Sequence, residues 1–191
     1  MSEIRTLSEI TTTCTKAVRG AGCPWGMAEE AGLAARLLSA HGLPGAEAVA
    51  DLLATPRSCP CSKAKGAPAC GLAEMVALLD APPTSDVALG DTAAPLLLLG
   101  FALAEGGYWD LRWPGGAARC GPAGVSLCGE LPGPIARVDL ARSIEAEDMR
   151  PADWRSRPVK EDAWGALEDL ASRLLVPETT QSRASGAGPD R

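Results

Sequence analysis

Three residues of types that could bind an anion share one predicted helical face. The apolar pattern predicts a helix over residues 27–41, and Glu29, Gly32 and Arg36 within it are spaced i, i+3 and i+7. Glycine in a helix interior costs about 1 kcal/mol relative to alanine, a cost that usually reflects close approach by a backbone or a ligand. Beside such a gap, a carboxylate can act as a general base and an arginine can hold a carboxylate or phosphate through paired hydrogen bonds. The alternative is that another helix packs on Gly32 and that the two charged residues are solvated at its rim.

Two more arginines extend this predicted site. Arg19 comes just before the loop GAGCPWG, and Arg183 lies in the C-terminal stretch SRASGAG. Arginine together with glycine amides can form a nest for an anion, so the C-terminal stretch could fold over the site; disorder of this polar segment is the alternative. The predicted ligand-binding residues are therefore Arg19, Glu29, Gly32, Arg36 and Arg183, and no catalytic residue is assigned.

The glycine-rich loop itself does not have the pattern of a phosphate loop. Its spacing is G-x-G-x-x-x-G and it follows a predicted helix, whereas a dinucleotide loop has the spacing G-x-G-x-x-G and follows a strand. The Gly-Lys-Ser/Thr sequence of a Walker loop is absent. We predict a turn between two helices, in which Trp25 fills the core and a glycine caps the first helix.

The cysteines between the helices do not form a recognisable metal motif. Cys59 and Cys61 are separated by one residue, and Cys70 follows after eight more. Structural zinc sites normally combine four ligands in pairs two to four residues apart, so Asp80, His41 or a distant cysteine would have to complete this set. We therefore predict an incidental loop cluster and no metal site.

His41 is the only histidine of the chain, and it falls at the predicted end of a helix. A single histidine cannot build a histidine-based metal cluster, and no nucleophile-elbow motif accompanies it. We predict a structural role at the helix C-terminus, where an imidazolium interacts favourably with the helix dipole.

Composition and charge exclude several classes of protein. The 191 residues carry a net charge of −6 with no basic run, which disfavours nucleic acid and anionic membranes as partners. The longest apolar run, residues 93–104, has 12 residues and is interrupted by proline and glycine, so it is too short to cross a bilayer. The N-terminus has no signal-peptide pattern, and seven cysteines without one indicate reduced thiols. The expected location is the cytoplasm.

The N-terminal part, residues 1–83, is predicted to be a cluster of helices. Thr6 and Glu9 have capping-box spacing, which predicts the start of the first helix, and glycines end it. Further helices are predicted over residues 27–41, 45–54 and 72–79. Short loops between short helices favour antiparallel packing.

The central part, residues 86–143, is predicted to be an antiparallel β-meander. Residues 95–104 are continuously apolar, which is typical of a central strand, although a buried helix is the competing interpretation. Alternating patterns predict strands over residues 108–113 and 135–142, and shorter strands over 117–120 and 125–128 lie between Gly-Pro turns.

The C-terminal part is predicted to contain one amphipathic helix, residues 158–176, that begins near Pro158. Trp164, Leu167, Leu170 and Leu174 form its apolar stripe. Together these elements predict an α+β fold with a single domain over residues 1–176 and a flexible tail over residues 177–191.

Three sequence blocks resemble a bacterial protein family that is catalogued only as a domain of unknown function. They are KAVRGAGCPWGMAEEAGLAARLLSAHGL (residues 16–43), FALAEGGYWDLRWPGG (101–116) and WGALEDLASRLLVPETTQSRASGAG (164–188). The resemblance implies a bacterial cytosolic protein and marks SRASGAG as a family element. The resemblance does not indicate which activity or which cofactor the protein has.

We expect an uncharacterised cytosolic protein that binds a small anionic metabolite. The alternative is a non-catalytic accessory or protein-interaction subunit, whose glycine-marked helix face packs on a partner. Both functions are compatible with the sequence, and the oligomeric state, the cofactors and the question of catalysis stay open.

Overall fold

The computed structural model describes residues 1–59, 62–63, 65–143 and 149–174, and it confirms the α+β fold. In chain order the described elements are β1 (Ser2–Arg5), α1 (Leu7–Gly20), α2 (Trp25–Ala40), α3 (Gly45–Ala54), β2 (Ser58–Cys59), β3 (Ser62–Lys63), β4 (Ala69–Cys70), α4 (Gly71–Asp80), β5 (Val87–Ala93), α5 (Leu97–Glu105), β6 (Trp109–Trp113), β7 (Gly116–Gly121), β8 (Gly124–Gly129), β9 (Ile135–Arg142), β10 (Arg157–Lys160) and α6 (Glu161–Ser172).

The first helix begins with the predicted capping box. The Glu9 amide donates to Thr6 Oγ1 at 3.1 Å, and the Thr6 amide donates to Glu9 Oε2 at 2.8 Å. Two amides at the helix start thus find partners. The helix ends at Gly20, and Gly22 supplies the left-handed backbone conformation of the turn, with φ of +93°.

The predicted helical cluster is confirmed, with small shifts in its boundaries. Helix α3 has the predicted bounds, whereas α2 begins two residues earlier than predicted and α4 is longer by one residue at each end. Helix α1 packs against α2 and also against α6, so the C-terminal helix completes the N-terminal cluster.

Residues 95–104 are not a strand, which corrects the preferred prediction in favour of its alternative. Most of this run belongs to α5, whose residues from Leu97 to Ala102 are all buried. The helix contacts α2, α4 and the sheet strand β7, so it is enclosed on several sides and shows no polar face. A continuously apolar run shows neither the 3.6-residue period of an amphipathic helix nor the two-residue period of a half-buried strand. The propensity of its leucines favours a helix over a strand.

The sheet is larger than the predicted meander. Eight strands are ordered β3-β2-β4-β5-β9-β6-β7-β8, and only β6, β7 and β8 follow one another as a meander. Strand β9 returns to the other side of β6 and joins it to β5, with antiparallel pairing on both sides. Strands β2, β4 and β5 pair in parallel, so the sheet is mixed.

Pro158 does not begin the last helix as predicted. It lies in β10, which pairs antiparallel with β1 so that Ile4 is opposite Pro158. Neither of these strands was predicted, because four-residue strands with mixed polarity give no clear alternation. Helix α6 begins at Glu161; Trp164 and Leu167 are buried, whereas Leu174 lies beyond the helix end and is exposed. The predicted tail, residues 177–191, lies outside the described residues.

A single continuous cluster of buried side chains joins the helices to one face of the sheet. It extends from Leu7 in α1 through Phe101 in α5 and Trp109 in β6 to Leu167 in α6. In the part of the chain that the structure describes, no helix is long and apolar enough to cross a membrane.

Candidate functional site

Gly32 lies where α1 packs closely on α2. A Cβ at this position would collide with Thr15 Oγ1 and would lie 2.8 Å from the Thr11 carbonyl oxygen. The space above Gly32 is therefore filled by α1, as the packing alternative predicts. The close approach of the two helix backbones accounts for the glycine.

Glu29 and Arg36 lie on the solvent-exposed side of α2. The Arg36 guanidinium is stacked over the ring of Trp154, 5.5 Å from its centroid. Trp154 belongs to the irregular segment that precedes β10, so this contact connects α2 to a distant part of the chain.

Arg19 and Trp25 form a second pair of this type at the other end of α2. Arg19 Nη1 donates to the Cys23 carbonyl at 2.9 Å, and its guanidinium lies 5.5 Å from the Trp25 ring centroid. Trp25 is 56% exposed and begins α2, so the prediction that it fills the core is wrong. The guanidinium of Arg19 lies over the indole ring instead.

The predicted ligand-binding residues do not converge in the described part of the chain. Trp25 and Arg36 are 11 positions apart in α2, which corresponds to about 16 Å along the helix axis. Arg19, which lies in α1, contacts Trp25 at the start of α2, whereas Arg36 lies near the end of α2. Arg183 lies outside the described residues, and its contribution stays a prediction.

A polar cluster that the sequence analysis missed surrounds the C-terminus of α2. The segment 149–157 crosses the helix end, where the Asp153 amide donates to the Ala40 carbonyl at 2.7 Å. Arg157 Nε donates to the Ser39 carbonyl at 2.8 Å, and its Nη2 donates to the Ala40 carbonyl at 3.2 Å. Together with the hydrogen bond that the Gly42 amide donates to the Ser39 carbonyl at 2.9 Å, these bonds satisfy the last carbonyl groups of the helix.

Asp153 holds the arginines of this segment in place. Its carboxylate accepts hydrogen bonds from Arg155, including one from Nε at 2.9 Å, and one from Arg157 Nη1 at 3.3 Å. The side-chain hydrogen bonds from Arg155 are the main reason that the pKa of Asp153 falls to about 2. The carboxylate is therefore ionised at neutral pH and is occupied by these two arginines.

His41 is the residue that follows α2, as predicted, and it is buried to 8% exposure. Its Nδ1 lies 2.9 Å from the Leu37 carbonyl oxygen. Because a carbonyl oxygen can only accept, Nδ1 must carry the hydrogen, and Nε2 of the neutral ring is then an acceptor.

A small cavity of about 180 Å³ opens beside this imidazole. Its lining consists of His41, Val125, Ser126, Leu127 and Arg150. The backbones of Val125 and Arg150 exchange two hydrogen bonds, of 3.0 and 2.7 Å, which fix the segment 149–157 to strand β8. The backbone of Arg150 is thereby bound to a regular strand.

Arg150 is the cationic side chain that lines this cavity. Among the described residues no carboxylate forms an ion pair with it, whereas Arg155 and Arg157 share Asp153. A Cβ at Gly42 would lie 3.6 Å from Arg150 Nη1, and Gly42 has a φ of +76° that favours glycine. Sequence reasoning missed Arg150 because its segment has no periodic pattern. The signal that could have drawn attention to it is the presence of three arginines within residues 149–157, MRPADWRSR, of an acidic chain.

The outer face of the sheet is a less suitable anion site. A cavity of about 220 Å³ there is lined by Arg112 and Arg119, but both contact Asp110, at 3.9 and 3.0 Å. The Asp110 carboxylate is 15% exposed and compensates their charge. An incoming anion would have to displace this carboxylate.

The cysteine prediction is only partly covered by the structure. Cys70 is buried, whereas Cys61 and the side chain of Cys59 lie outside the described residues. No three histidine, cysteine, aspartate or glutamate side chains within the described ranges are grouped closely enough to hold a metal ion. Cys120 is a buried core residue, and burial raises its pKa to about 12.

Comparison with known families confirms the resemblance to a family of unknown function. Residues 5–70 match the model of a family described as "Protein of unknown function (DUF3726)". The matched segment runs from the end of β1 to β4 and contains α1, α2, α3 and His41. A search of curated proteins and a search of solved structures found no match.

Proposed function

We propose that the protein binds a small hydroxylated anion, such as a phosphate group or a short hydroxycarboxylate, in the cavity between His41 and Arg150. The observation that carries this proposal is an arginine without a carboxylate partner among the described residues, which shares a small cavity with a buried imidazole. Arg150 would donate to the anionic oxygens through its guanidinium. His41 Nε2 would accept from a hydroxyl group of the ligand.

The dimensions and lining of the cavity set the ligand class. About 180 Å³ is less than the 300 Å³ or more of typical pockets for drug-sized ligands, so the occupant is small. Ser126 supplies a hydroxyl that can donate or accept, and Val125 and Leu127 supply the apolar wall. We assign the residues to binding and assign no catalytic role.

The single histidine makes a direct test possible. We suggest labelling the imidazole with ¹⁵N and ¹³C and titrating the full chain with inorganic phosphate, glycolate and acetate while ionic strength is held constant with chloride. We expect a saturable shift of the His41 Nε2 resonance with phosphate and glycolate. Acetate, which lacks the hydroxyl of glycolate, should bind more weakly.

Two variants separate the cavity from the surrounding charge. Arg150→Gln should weaken binding by about 10- to 100-fold, because a hydrogen bond to a charged group contributes about 1.5–3 kcal/mol. Arg155→Gln removes an equal charge from a side chain that does not line the cavity, and it should leave the affinity within about two-fold. Absence of a saturable shift, or equal shifts in wild type and Arg150→Gln, would overturn the proposal.

We also propose a bacterial cytoplasmic location and no nucleic-acid partner. Cys14, Cys120 and Cys128 are free thiols, which supports a reducing compartment. The net charge of −6 supports the absence of nucleic-acid binding. We treat residues 1–176 as one functional domain, which the continuous core supports.

A non-catalytic accessory or protein-interaction subunit is the second candidate function. The exposed side chains of Trp25 and Leu33 on α2 favour it, since large exposed apolar side chains on one helix face are typical of contact surfaces. In that case the phosphate and glycolate titrations would give no saturable shift.

A further inference from the structure

The solvent side of α2 carries an unusual set of side chains. Trp25, Glu29, Leu33 and Arg36 are spaced i, i+4, i+8 and i+11, and all four are exposed. Trp25 is 56% exposed and Leu33 is 40% exposed. Trp154, which is also 56% exposed, lies beside Arg36 and extends this surface. Tryptophan and arginine are the residue types most enriched among energetically dominant interface residues.

This surface is complementary to itself. Glu29 lies four positions before Leu33 and Arg36 lies three positions after it, which corresponds to about 6 Å and about 4.5 Å along the helix axis. If a second α2 lies antiparallel across a two-fold axis at Leu33, the acid of each copy faces the base of the other. The axial mismatch is about 1.5 Å, which is well within the reach of these long side chains.

We propose that the protein forms a two-fold symmetric dimer in which the α2 helices of two copies pack antiparallel at Leu33. A two-fold interface uses the same patch on both copies, so two Glu29–Arg36 pairs and one Leu33–Leu33 contact form together. Trp25 of each copy reaches the level of residues 40–41 of the other, near Trp154. The proposal does not rest on the anion site, since Trp25, Glu29, Leu33 and Arg36, the residues that carry it, are not among those that line the cavity.

The first test is the oligomeric state of the full chain. Light scattering after size exclusion, together with sedimentation over a concentration series, should show a reversible dimer. Leu33→Arg places like charges on the symmetry axis and should weaken the dimer by about 100-fold or more, because like charges at an interface cost several kcal/mol. Leu131→Arg is the matched control, since Leu131 is 42% exposed in a loop outside α2, and it should stay dimeric.

A charge exchange tests the reciprocal ion pairs. Glu29→Arg gives a chain with two cations on this face and Arg36→Glu gives a chain with two anions, so each variant alone should dimerise more weakly than wild type. Mixing the two variants should restore a dimer containing one chain of each, because both pairs are again of opposite charge. Circular dichroism would verify that each exposed substitution leaves the fold intact.

Four results would overturn the proposal. The wild-type chain could be monomeric at all concentrations, or Leu33→Arg could leave the dimer unchanged, or the mixed variants could fail to associate while each alone still dimerises. A monomer in which residues 175–191 crosslink to α2 would assign this face to the chain's own C-terminal segment and would also overturn the dimer.

Discussion

Arg157 Nε donates a 2.8 Å hydrogen bond to the carbonyl of Ser39, a residue 118 positions earlier in the chain. The bond joins the end of α2 to the segment that leads into β10 and α6. Because an arginine replaces the solvent that usually covers a helix C-terminus, one side chain connects the N-terminal helices to the C-terminal elements.

Arg157→Ala should therefore destabilise the protein. The change removes charge-assisted hydrogen bonds to the Ser39 and Ala40 carbonyls, and we expect a loss of about 1.5–3 kcal/mol in the free energy of unfolding. Urea unfolding followed by circular dichroism measures it. Arg155→Ala is the control, because its side chain is 86% exposed, and it should change stability by no more than about 0.5 kcal/mol. Equal losses in both variants would contradict the capping role of Arg157.

The Asp153 carboxylate should make stability depend on acid pH. Its pKa is about 2 in the folded protein and 3.8 in an ordinary environment, so its contribution is present above pH 3.8 and is lost as the pH falls towards 2. The wild type should thus be more stable than Asp153→Asn at pH 6, and this difference should disappear between pH 4 and pH 2. The difference in urea midpoint between the two proteins as a function of pH measures the effect; a difference that persists unchanged at pH 2 would refute it.

Gly32→Ala should be destabilising although alanine is the better helix former. The added methyl group meets Thr15 Oγ1 and the Thr11 carbonyl, and the backbone carbonyl cannot move without shifting α1. We expect a net loss of about 1–3 kcal/mol.

Gly26→Ala in the same helix provides a matched comparison. No atom lies within 4 Å of a Cβ at Gly26, so this change should stabilise by up to about 1 kcal/mol through helix propensity. Thermal unfolding of both variants tests the pair. A stabilised Gly32→Ala protein would show that α1 and α2 do not approach as closely as described.

Thiol reactivity should differ sharply among the described cysteines. Cys128 is exposed, whereas burial raises the pKa of the Cys14 thiol and raises that of Cys120 to about 12. Since the thiolate is the reactive form, iodoacetamide should modify Cys128 in the native protein and reach Cys14 and Cys120 only on unfolding. Peptide mass spectrometry after a time course distinguishes the sites. Rapid native alkylation of Cys14 would indicate that the α1 core is open.

Sequence reasoning succeeded where one local interaction decides the structure. The capping box of Thr6 and Glu9 starts α1 as predicted, because both hydrogen bonds form within four residues. Helix α3 likewise has the predicted bounds, since Gly42 and Pro44 separate it from α2. In both cases the determining residues are neighbours in the chain.

Sequence reasoning failed where contacts with distant segments determine the local structure. Residues 97–105 are enclosed by other elements, so no polar side distinguishes a helix from a strand, and the order of the strands around β9 depends on pairing between distant segments. The candidate cavity shows the same limit: His41 was recognised as a helix end, but Arg150 lies 109 positions away in a segment with no periodic pattern. The bridge between Val125 and Arg150 brings that segment to the sheet.

The pairing of β1 with β10 has a consequence for synthesis of the protein. Residues 2–5 find their strand partner at residues 157–160, and α1 packs against α6, which ends at Ser172. While the ribosome is still translating, the first strand and one side of α1 have no native partner, because those residues have not yet been made. The helical layer can therefore close only after the residues up to Ser172 have left the exit tunnel. Until then, the side of α1 that α6 will cover is the surface for which a ribosome-associated chaperone would compete.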